Sequence, residues 1–179
     1  ILARASAMGI SPEELAYDLL LEDDGQAILL LAAANYAERN LDFAVELMRH
    51  PDVVLGLGDG GAHLGTICDA SYTTFFLKEW PKQRGDGAAR MDLPGVISHL
   101  SRKPAELVGL RDRGLLAAGY KADINVIDLD RLHLSRPEIT TDLPAGGRRL
   151  FQRASGYTAT VVNGRVIQRD GEITQELPG

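Results

Sequence analysis

Asp59 and His63 are the two residues of this chain whose types and spacing best suit chemistry. Both lie in a glycine-rich run that directly follows the apolar residues 53–57. A short apolar run bounded by proline and glycine is typical of a strand buried on both faces, as in parallel α/β sheets. Ligand sites in such sheets lie at the carboxyl ends of the strands, and Asp59 follows that end. Gly60 and Gly61 lack a Cβ atom, so a substrate can approach the backbone beside the carboxylate.

Three interpretations of this stretch compete. It could be a strand and a tight turn, in which the side chain of Asp59 bonds to the turn backbone. It could be a dinucleotide-binding fingerprint, because Gly56, Gly58 and Gly61 satisfy the G-x-G-x-x-G pattern. That fingerprint requires a second strand ending in an acidic residue about 20 residues later, whereas the region after Glu79 is typical of a loop. The third interpretation is a catalytic carboxylate at the mouth of a barrel strand, and the rest of the chain favours it.

The first part of the chain predicts alternating strands and helices. Residues 26–59 are expected to form a strand over 27–32, a helix with Phe43 and Leu47 spaced at i, i+4, and a second strand over 53–57. Such a unit is a right-handed parallel crossover. Further helices are predicted to end at Gly9, to begin at the capping box of Ser11, to carry Phe75, Phe76 and Trp80, to begin at Pro94, and to end at Gly109.

The second part of the chain predicts a small β domain. Residues 122–128 are typical of a strand, and residues 132–147 are typical of a loop. Residues 157–168 predict a hairpin, because two runs rich in valine, threonine and isoleucine surround Asn163-Gly164. This dipeptide favours a type I′ turn, in which both central residues need a positive φ.

The composition limits the possible partners. The chain has 179 residues and a formal net charge of −6, and without basic runs it is not expected to bind nucleic acid or an anionic membrane. It contains no apolar run of membrane-spanning length. Its single cysteine, Cys68, excludes an internal disulfide and suits a reducing compartment, so a cytoplasmic location is expected. The first residue is Ile1, within a predicted helix, which suggests a piece of a longer protein.

Several segments together resemble the amidohydrolase superfamily. The resemblance covers nearly the whole chain, and the ending Gly171-Glu-Ile-Thr174 is similar to the N-acyl-D-amino-acid deacylase (D-aminoacylase) branch. The segments that carry it are Gly58-Asp-Gly-Gly-Ala-His63, Ser101-Arg-Lys-Pro-Ala105, Gly109-Leu-Arg-Asp-Arg-Gly114, Leu115 to Asp128 with its Ala-Gly-Tyr-Lys-Ala-Asp core, and Val162-Asn-Gly-Arg-Val-Ile167.

The resemblance implies a metal-dependent (β/α)8 barrel with a small β-sandwich, and hydrolysis of an amide bond in a small molecule. Residues 1–110 would supply the last strands and helices of the barrel, and residues 114–179 part of the sandwich. Asp59 matches the strand-eight aspartate, which contacts the metal, expected to be zinc, and shuttles a proton. Gly60, Gly61 and His63 would face the substrate.

The family's His-x-His pair is absent, because the four histidines, His50, His63, His99 and His133, are not so spaced. We therefore expect the carboxyl-terminal part of a larger enzyme, inactive by itself and without a complete zinc site. Exposed strand edges and helix faces would favour homo-oligomers or completion by the missing amino-terminal part. The alternative is a stand-alone, non-catalytic α/β module for binding or assembly.

Other side chains have plainer interpretations. Cys68 is expected to be a small buried residue, and His99 a surface or boundary histidine. Arg148 and Arg149 are expected to be solvated, although an arginine here could meet a substrate carboxylate.

Overall fold

The computed structural model describes residues 1–31, 34, 36–57, 60–81 and 91–178. Six α-helices occur in these ranges, and all of them precede the strands. They are α1 (Leu2–Met8), α2 (Pro12–Gly25), α3 (Asp42–Arg49), α4 (Tyr72–Glu79), α5 (Leu93–Leu100) and α6 (Arg102–Leu107). Among the described residues, every helix is too short or too polar to cross a lipid bilayer.

Eight short strands follow the helices, and every strand pair is antiparallel. They are β1 (Ile124–Ile127), β2 (His133–Leu134), β3 (Glu138–Leu143), β4 (Gly147–Phe151), β5 (Ala154–Ser155), β6 (Tyr157–Val162), β7 (Arg165–Arg169) and β8 (Glu172–Ile173). A four-stranded sheet has the order β1-β6-β7-β8, while β2 pairs with β5 and β3 with β4. The chain is therefore mixed α/β, as predicted.

Two of the predicted helix boundaries in the first part are confirmed, those at Gly9 and Ser11. Gly9 caps α1 with φ 70°, and its backbone N–H donates to Ala5 and Ser6 carbonyl oxygens. Ser11 precedes α2, and its side-chain oxygen accepts a 3.0 Å hydrogen bond from the backbone N–H of Glu14. This bond satisfies one of the amides that the first turn of a helix leaves without a partner.

The two parallel strands predicted over 27–32 and 53–57 are wrong. Residues 27–31 and 53–57 have no strand assignment, and Ala32 lies outside the described residues. A strand exists only where a neighbour completes its hydrogen-bond ladder, and no described strand lies beside either segment. Leu30 and Leu31 are 94% and 86% exposed, so this apolar run is not buried.

The predicted hairpin is confirmed, whereas the predicted loop over 132–147 is wrong. Strands β6 and β7 pair around Asn163 and Gly164, whose φ angles are 48° and 77°, as a type I′ turn requires. Residues 132–147 instead contain β2 and β3. Strand β3 was not predicted because it is polar and mostly exposed, so it lacks the apolar alternation of a half-buried strand.

One hydrophobic core joins the helices to the β region. Its buried members include Val45, Phe76, Trp80, Val96 and Leu132, and Ile127 and Tyr157 of the sheet pack against it. The apolar stripe of α4 is thus a core element. Helix α3 contributes Val45 and Met48 to this core, while Phe43 and Leu47, the i, i+4 pair noted in the sequence, are exposed.

His99 is buried, which corrects its prediction as a surface or boundary residue. Its side chain is only 3% exposed, because it lies three residues after the core residue Val96 on the same face of α5. Its Nε2 lies 2.8 Å from Nζ of Lys103, so the lysine donates to a neutral ring that carries its proton on Nδ1. Burial, with a smaller contribution from Lys103, lowers the pKa of His99.

Gly164 and Gly156 of the β region should both lose stability when replaced by alanine, and Gly156 should lose more. Gly164→Ala places a side chain at φ 77° with open space around it, so we expect a loss of about 1–2 kcal/mol in unfolding free energy. Gly156→Ala should cost more, because a Cβ at φ 98° would lie 2.6 Å from the Leu132 Cα. Urea unfolding of the purified variants measures both losses.

The control for this pair is Gly56→Ala, whose backbone is not left-handed and whose Cβ would meet nothing within 4 Å. It should change stability by less than about 0.5 kcal/mol. Equal losses at Gly156 and Gly56 would contradict the described packing of Gly156 on Leu132.

The free energy of unfolding should decrease as the pH is lowered, because His99 is buried as a neutral ring. The folded pKa of this histidine lies below the ordinary value of 6.5, so the unfolded chain binds the extra proton more readily. The contribution is complete above the unfolded pKa and is lost as the pH falls from there through the folded pKa. Between about pH 7.5 and 5.5, the wild type should lose more unfolding free energy than His99→Gln, by less than about 1.4 kcal/mol per pH unit.

The matched control is His133→Gln, which removes an exposed histidine. This variant should lose as much unfolding free energy as the wild type over the same pH range. If His99→Gln and the wild type lost the same unfolding free energy over this pH range, His99 would not be buried as a neutral ring.

Candidate functional site

The glycine-rich loop is described on both sides of its carboxylate. Asp59, predicted as the catalytic and metal-binding residue, lies outside the described residues, as does Gly58. Leu57 and Gly60, its nearest described neighbours in the sequence, both line a cavity of about 280 Å³. The catalytic role of Asp59 therefore stays a prediction, while the surroundings of the loop can be described.

Gly60 and Gly61 serve different purposes in this loop. A Cβ at Gly60 would lie 3.2 Å from Cδ2 of Leu57, so a larger residue would push against that side chain. Gly61 has φ 88° and open space around it, so it is the backbone conformation that favours glycine there. Both glycines line the cavity. Their predicted part in giving a substrate room beside Asp59 stays a prediction.

His63 shapes the loop through its backbone. It has φ 50°, and its carbonyl oxygen accepts hydrogen bonds from the amides of Thr66 and Ile67 at 2.8 and 2.9 Å. These bonds turn the chain toward Cys68 and α4. The imidazole is exposed and His63 is not among the residues that line the cavity, so its contact with a substrate stays a prediction.

The opposite wall of the cavity comes from β4 and the residues just after it. Arg149, Leu150, Phe151 and Gln152 line this wall, and Ser71, at the start of α4, joins the loop side. The cavity thus lies between the glycine-rich loop and the β region, which are far apart in sequence. A volume of about 280 Å³ is close to the lower limit for small-molecule sites.

Two hydrogen bonds hold the two walls together, and a third orients one of the side chains that take part. The backbone N–H of Leu150 donates to the carbonyl oxygen of Leu64 at 2.8 Å. The hydroxyl of Ser71 donates to Oε1 of Gln152. The amide group of Gln152 is oriented by its other end, since Nε2 donates to the carbonyl oxygen of Ser135 at 2.8 Å. The loop is therefore bound to the outer side of β4 by both backbone and side-chain contacts.

Arg149 is the basic side chain of the cavity. Its Nε and Nη2 donate to the two carboxylate oxygens of Asp142 at 2.7 and 2.6 Å, a bidentate pair across the β3–β4 hairpin. Its guanidinium carbon also lies 4.7 Å from the ring centre of Phe151. The hydrogen bonds from Arg149 lower the pKa of Asp142, so the pair is ionised near neutral pH.

Two more polar residues line the cavity on the loop side. Burial raises the pKa of the Cys68 thiol, and nearby Asp69 adds to that effect, while Arg149 opposes it. The thiol is therefore neutral near neutral pH. Cys68 is partly buried, close to its prediction as a small buried residue. Asp69 is exposed and also lines the cavity. The described lining therefore has an acidic residue on the loop side, Asp69, and a basic residue on the β4 wall, Arg149.

A protein metal site requires several donor groups that converge on one ion. Within the described ranges, no group of three or more histidine, cysteine, aspartate or glutamate side chains is arranged to hold an ion. The described residues therefore do not fit a complete zinc site. The zinc that the resemblance implies would need ligands beyond this set.

The sequence interpretation missed most of the β4 wall. Arg149 was expected to be solvated, whereas its side chain is 28% exposed and lines the cavity. A usable signal was present: Arg149, Phe151 and Arg153 are spaced by two residues, as on one face of a strand. Both arginines lie over the Phe151 ring, at 4.7 and 5.0 Å.

Comparison with known proteins adds three relatives. A dihydroorotase of Methanothermobacter thermautotrophicus is 33% identical over 87 residues, which cover 48% of this chain and 20% of the relative. A dihydroorotase of Lactobacillus acidophilus is 33% identical over 118 residues, covering 64% and 26%. A 5-methylthioadenosine/S-adenosylhomocysteine deaminase of Natronomonas pharaonis is 27% identical over 187 aligned positions, covering 92% and 42%.

The chain thus spans less than half the length of each of these relatives. No solved structure matches it significantly. Residues 21–168 match the amidohydrolase family, and this range includes the glycine-rich loop, the β4 wall and the hairpin. Since the match covers most of the sequence, the chain belongs to the amidohydrolase family.

Proposed function

We propose that this chain is the carboxyl-terminal part of a metal-dependent amidohydrolase that hydrolyses a C–N bond in a small molecule, and that its substrates are N-acyl-D-amino acids. The observation that carries the proposal is the cavity whose lining residues Leu57 and Gly60 flank Asp59 in the sequence. A substrate bound there would contact the described residues that precede and follow the proposed catalytic carboxylate in the sequence.

The family membership and the named relatives support the reaction class. Two dihydroorotases and a deaminase are among the similar proteins, which favours hydrolysis at C–N bonds. The choice of N-acyl-D-amino acids rests on the resemblance of the segment 171–174 to the D-aminoacylase branch. In this structure, the segment completes the sheet: Thr174 donates from its backbone N–H to Ile167 and from its hydroxyl to Val166.

Asp59 is proposed to act as the proton shuttle of the reaction. A carboxylate can accept a proton from the attacking water and pass it to the departing amine. Aspartate suits this task because its side chain is short, so its position is set closely by the backbone of the loop. Zinc is the proposed metal of the complete enzyme. The enzyme is proposed to be cytoplasmic and to form homo-oligomers.

Gly60 and Gly61 are proposed to give the substrate access to the backbone of the loop, and His63 to contact the substrate. For Gly61, the positive φ explains why glycine occupies the position, and the open space leaves room for a substrate. For His63, the exposed imidazole leaves room for a ligand contact, because only its carbonyl oxygen is used by the turn.

Asp59→Asn in the enzyme that contains this chain should lower kcat by roughly 100- to 10,000-fold, because an amide cannot take up the proton. KM should change little, since the substitution keeps the size of the side chain. Release of free amine from N-acetyl-D-amino acids measures both constants.

Asp52→Asn serves as the control, because Asp52 is exposed in the same segment and does not line the cavity. It should retain wild-type kcat. Unchanged turnover by Asp59→Asn would refute the proton-shuttle role, and a wild-type enzyme that cleaves no C–N bond in any tested substrate would refute the proposed function.

A further inference from the structure

Arg149 has the charge, the position and the fixed geometry of an anion-binding residue. Among the described residues that line the cavity, it is the one basic side chain. A guanidinium is planar, stays charged at all physiological pH values, and matches the two oxygens of a carboxylate. The question is whether its partner Asp142 leaves any of this capacity unused.

The pairing with Asp142 uses one edge of the guanidinium. Nε and one N–H of Nη2 donate to the carboxylate. Arginine has five N–H donors in a rigid fork, so the edge formed by Nη1 and Nη2 retains three. Within the described part of the chain, no residue accepts a hydrogen bond from Nη1 of Arg149. A second carboxylate can therefore bind without displacing Asp142.

Two contacts hold the guanidinium in place before any ligand arrives. Asp142 holds it in the plane of the bidentate pair, and the Phe151 ring supports it from below at 4.7 Å. Binding a ligand normally costs the conformational entropy of ordering a long, flexible side chain. Because Arg149 is already ordered, this cost is smaller and ligand binding is favoured. Asp142 is thus a positioning residue, and it acts on a ligand only through Arg149.

The neighbouring acidic groups do not saturate this cation. The raised pKa of Cys68 keeps its thiol neutral, so it does not compete as an anion. Asp69 also lines the cavity and would repel a ligand carboxylate. It can instead accept the N–H of an amide. A ligand with one carboxylate and one amide N–H has a group of suitable chemistry for each of these two residues, and an N-acyl amino acid has both groups.

We propose that Arg149 binds the α-carboxylate of the substrate and that Asp142 positions it, so that the β4 wall selects acids over their neutral analogues. This inference rests on the proposed function, because it assumes that the substrate is an N-acyl amino acid. It assigns to the β region a part in substrate selection, in addition to its structural role.

The test compares two substrates that share the same scissile bond. The enzyme that contains this chain is assayed with N-acetyl-D-amino acids of apolar, polar and acidic side chains, and with the corresponding primary amides, which lack the carboxylate. Arg149→Met should raise KM for the acids by roughly 10- to 100-fold, the range expected for a lost charged hydrogen bond. KM and kcat for the amides should stay within about twofold of the wild-type values.

Three further variants make the test specific. Arg148→Met removes the adjacent, exposed arginine, which does not line the cavity, and should leave the acid-to-amide preference unchanged. Arg149→Lys keeps the charge without the fork and should give an intermediate KM for the acids. Asp142→Asn should raise KM for the acids by a smaller factor than Arg149→Met, with kcat unchanged, because the cation remains but is less well oriented.

The possible outcomes separate this inference from the proposed function. Suppose that the wild type hydrolyses both classes of substrate. If Arg149→Met then raises KM for acids and amides equally, or for neither, the inference is overturned and the hydrolase proposal stands. If Arg149→Met fails to fold, the acid-to-amide ratio of Arg149→Lys decides in the same way. A wild-type enzyme that cleaves neither class of substrate would overturn the inference together with the proposed substrate.

Discussion

The hydrogen bond from the Leu150 amide to the Leu64 carbonyl oxygen is the contact on which the candidate site depends. It joins a glycine-rich loop to a strand more than eighty residues later in the chain. Without it, the loop side would be joined to the β4 wall through the Ser71–Gln152 side-chain hydrogen bond alone, and the cavity between them would be less well defined. Backbone bonds of this kind are independent of side-chain chemistry, so the neighbouring side chains are free to serve binding.

The side-chain contacts beside this bond add specificity to it. Ser71 bonds to Gln152, whose amide is fixed in turn by the Ser135 carbonyl oxygen. Further along α4, the Thr74 hydroxyl lies 2.7 Å from the Tyr157 hydroxyl. Thr74 is buried and Tyr157 packs against the hydrophobic core. A single layer of polar contacts therefore continues from the cavity into the core, and it connects the stability of the fold to the shape of the site.

Local signals in the sequence predicted the elements that local interactions determine. The Ser11 cap, the Gly9 stop and the Asn163-Gly164 turn were all confirmed, because each depends on a few adjacent residues. The strands predicted over 27–32 and 53–57 failed, since a ladder needs partners that an apolar run cannot itself supply. Strand β3 was missed for the opposite reason: its partner β4 is present, but its exposed polar side chains hide the pairing.

The candidate site could be predicted only in part. The glycine-rich loop was recognised because glycine beside an acidic residue is a local pattern, and Gly60 and Gly61 do line the cavity. The β4 wall was not recognised, because its approach to the loop depends on contacts between residues far apart in sequence. His99 was misplaced for a related reason, since a polar residue within an apolar helix face is buried only where the core extends over it.

Amide hydrogen exchange at Leu150, followed residue by residue by NMR, measures the Leu150–Leu64 contact directly. The Leu150 amide should exchange at least about 100-fold more slowly than an unstructured amide, because its hydrogen bond to the loop must open first. Exchange at the unstructured rate, with the paired amides of β6 and β7 still protected, would show that the loop is not bound to β4 and that the cavity does not exist in solution.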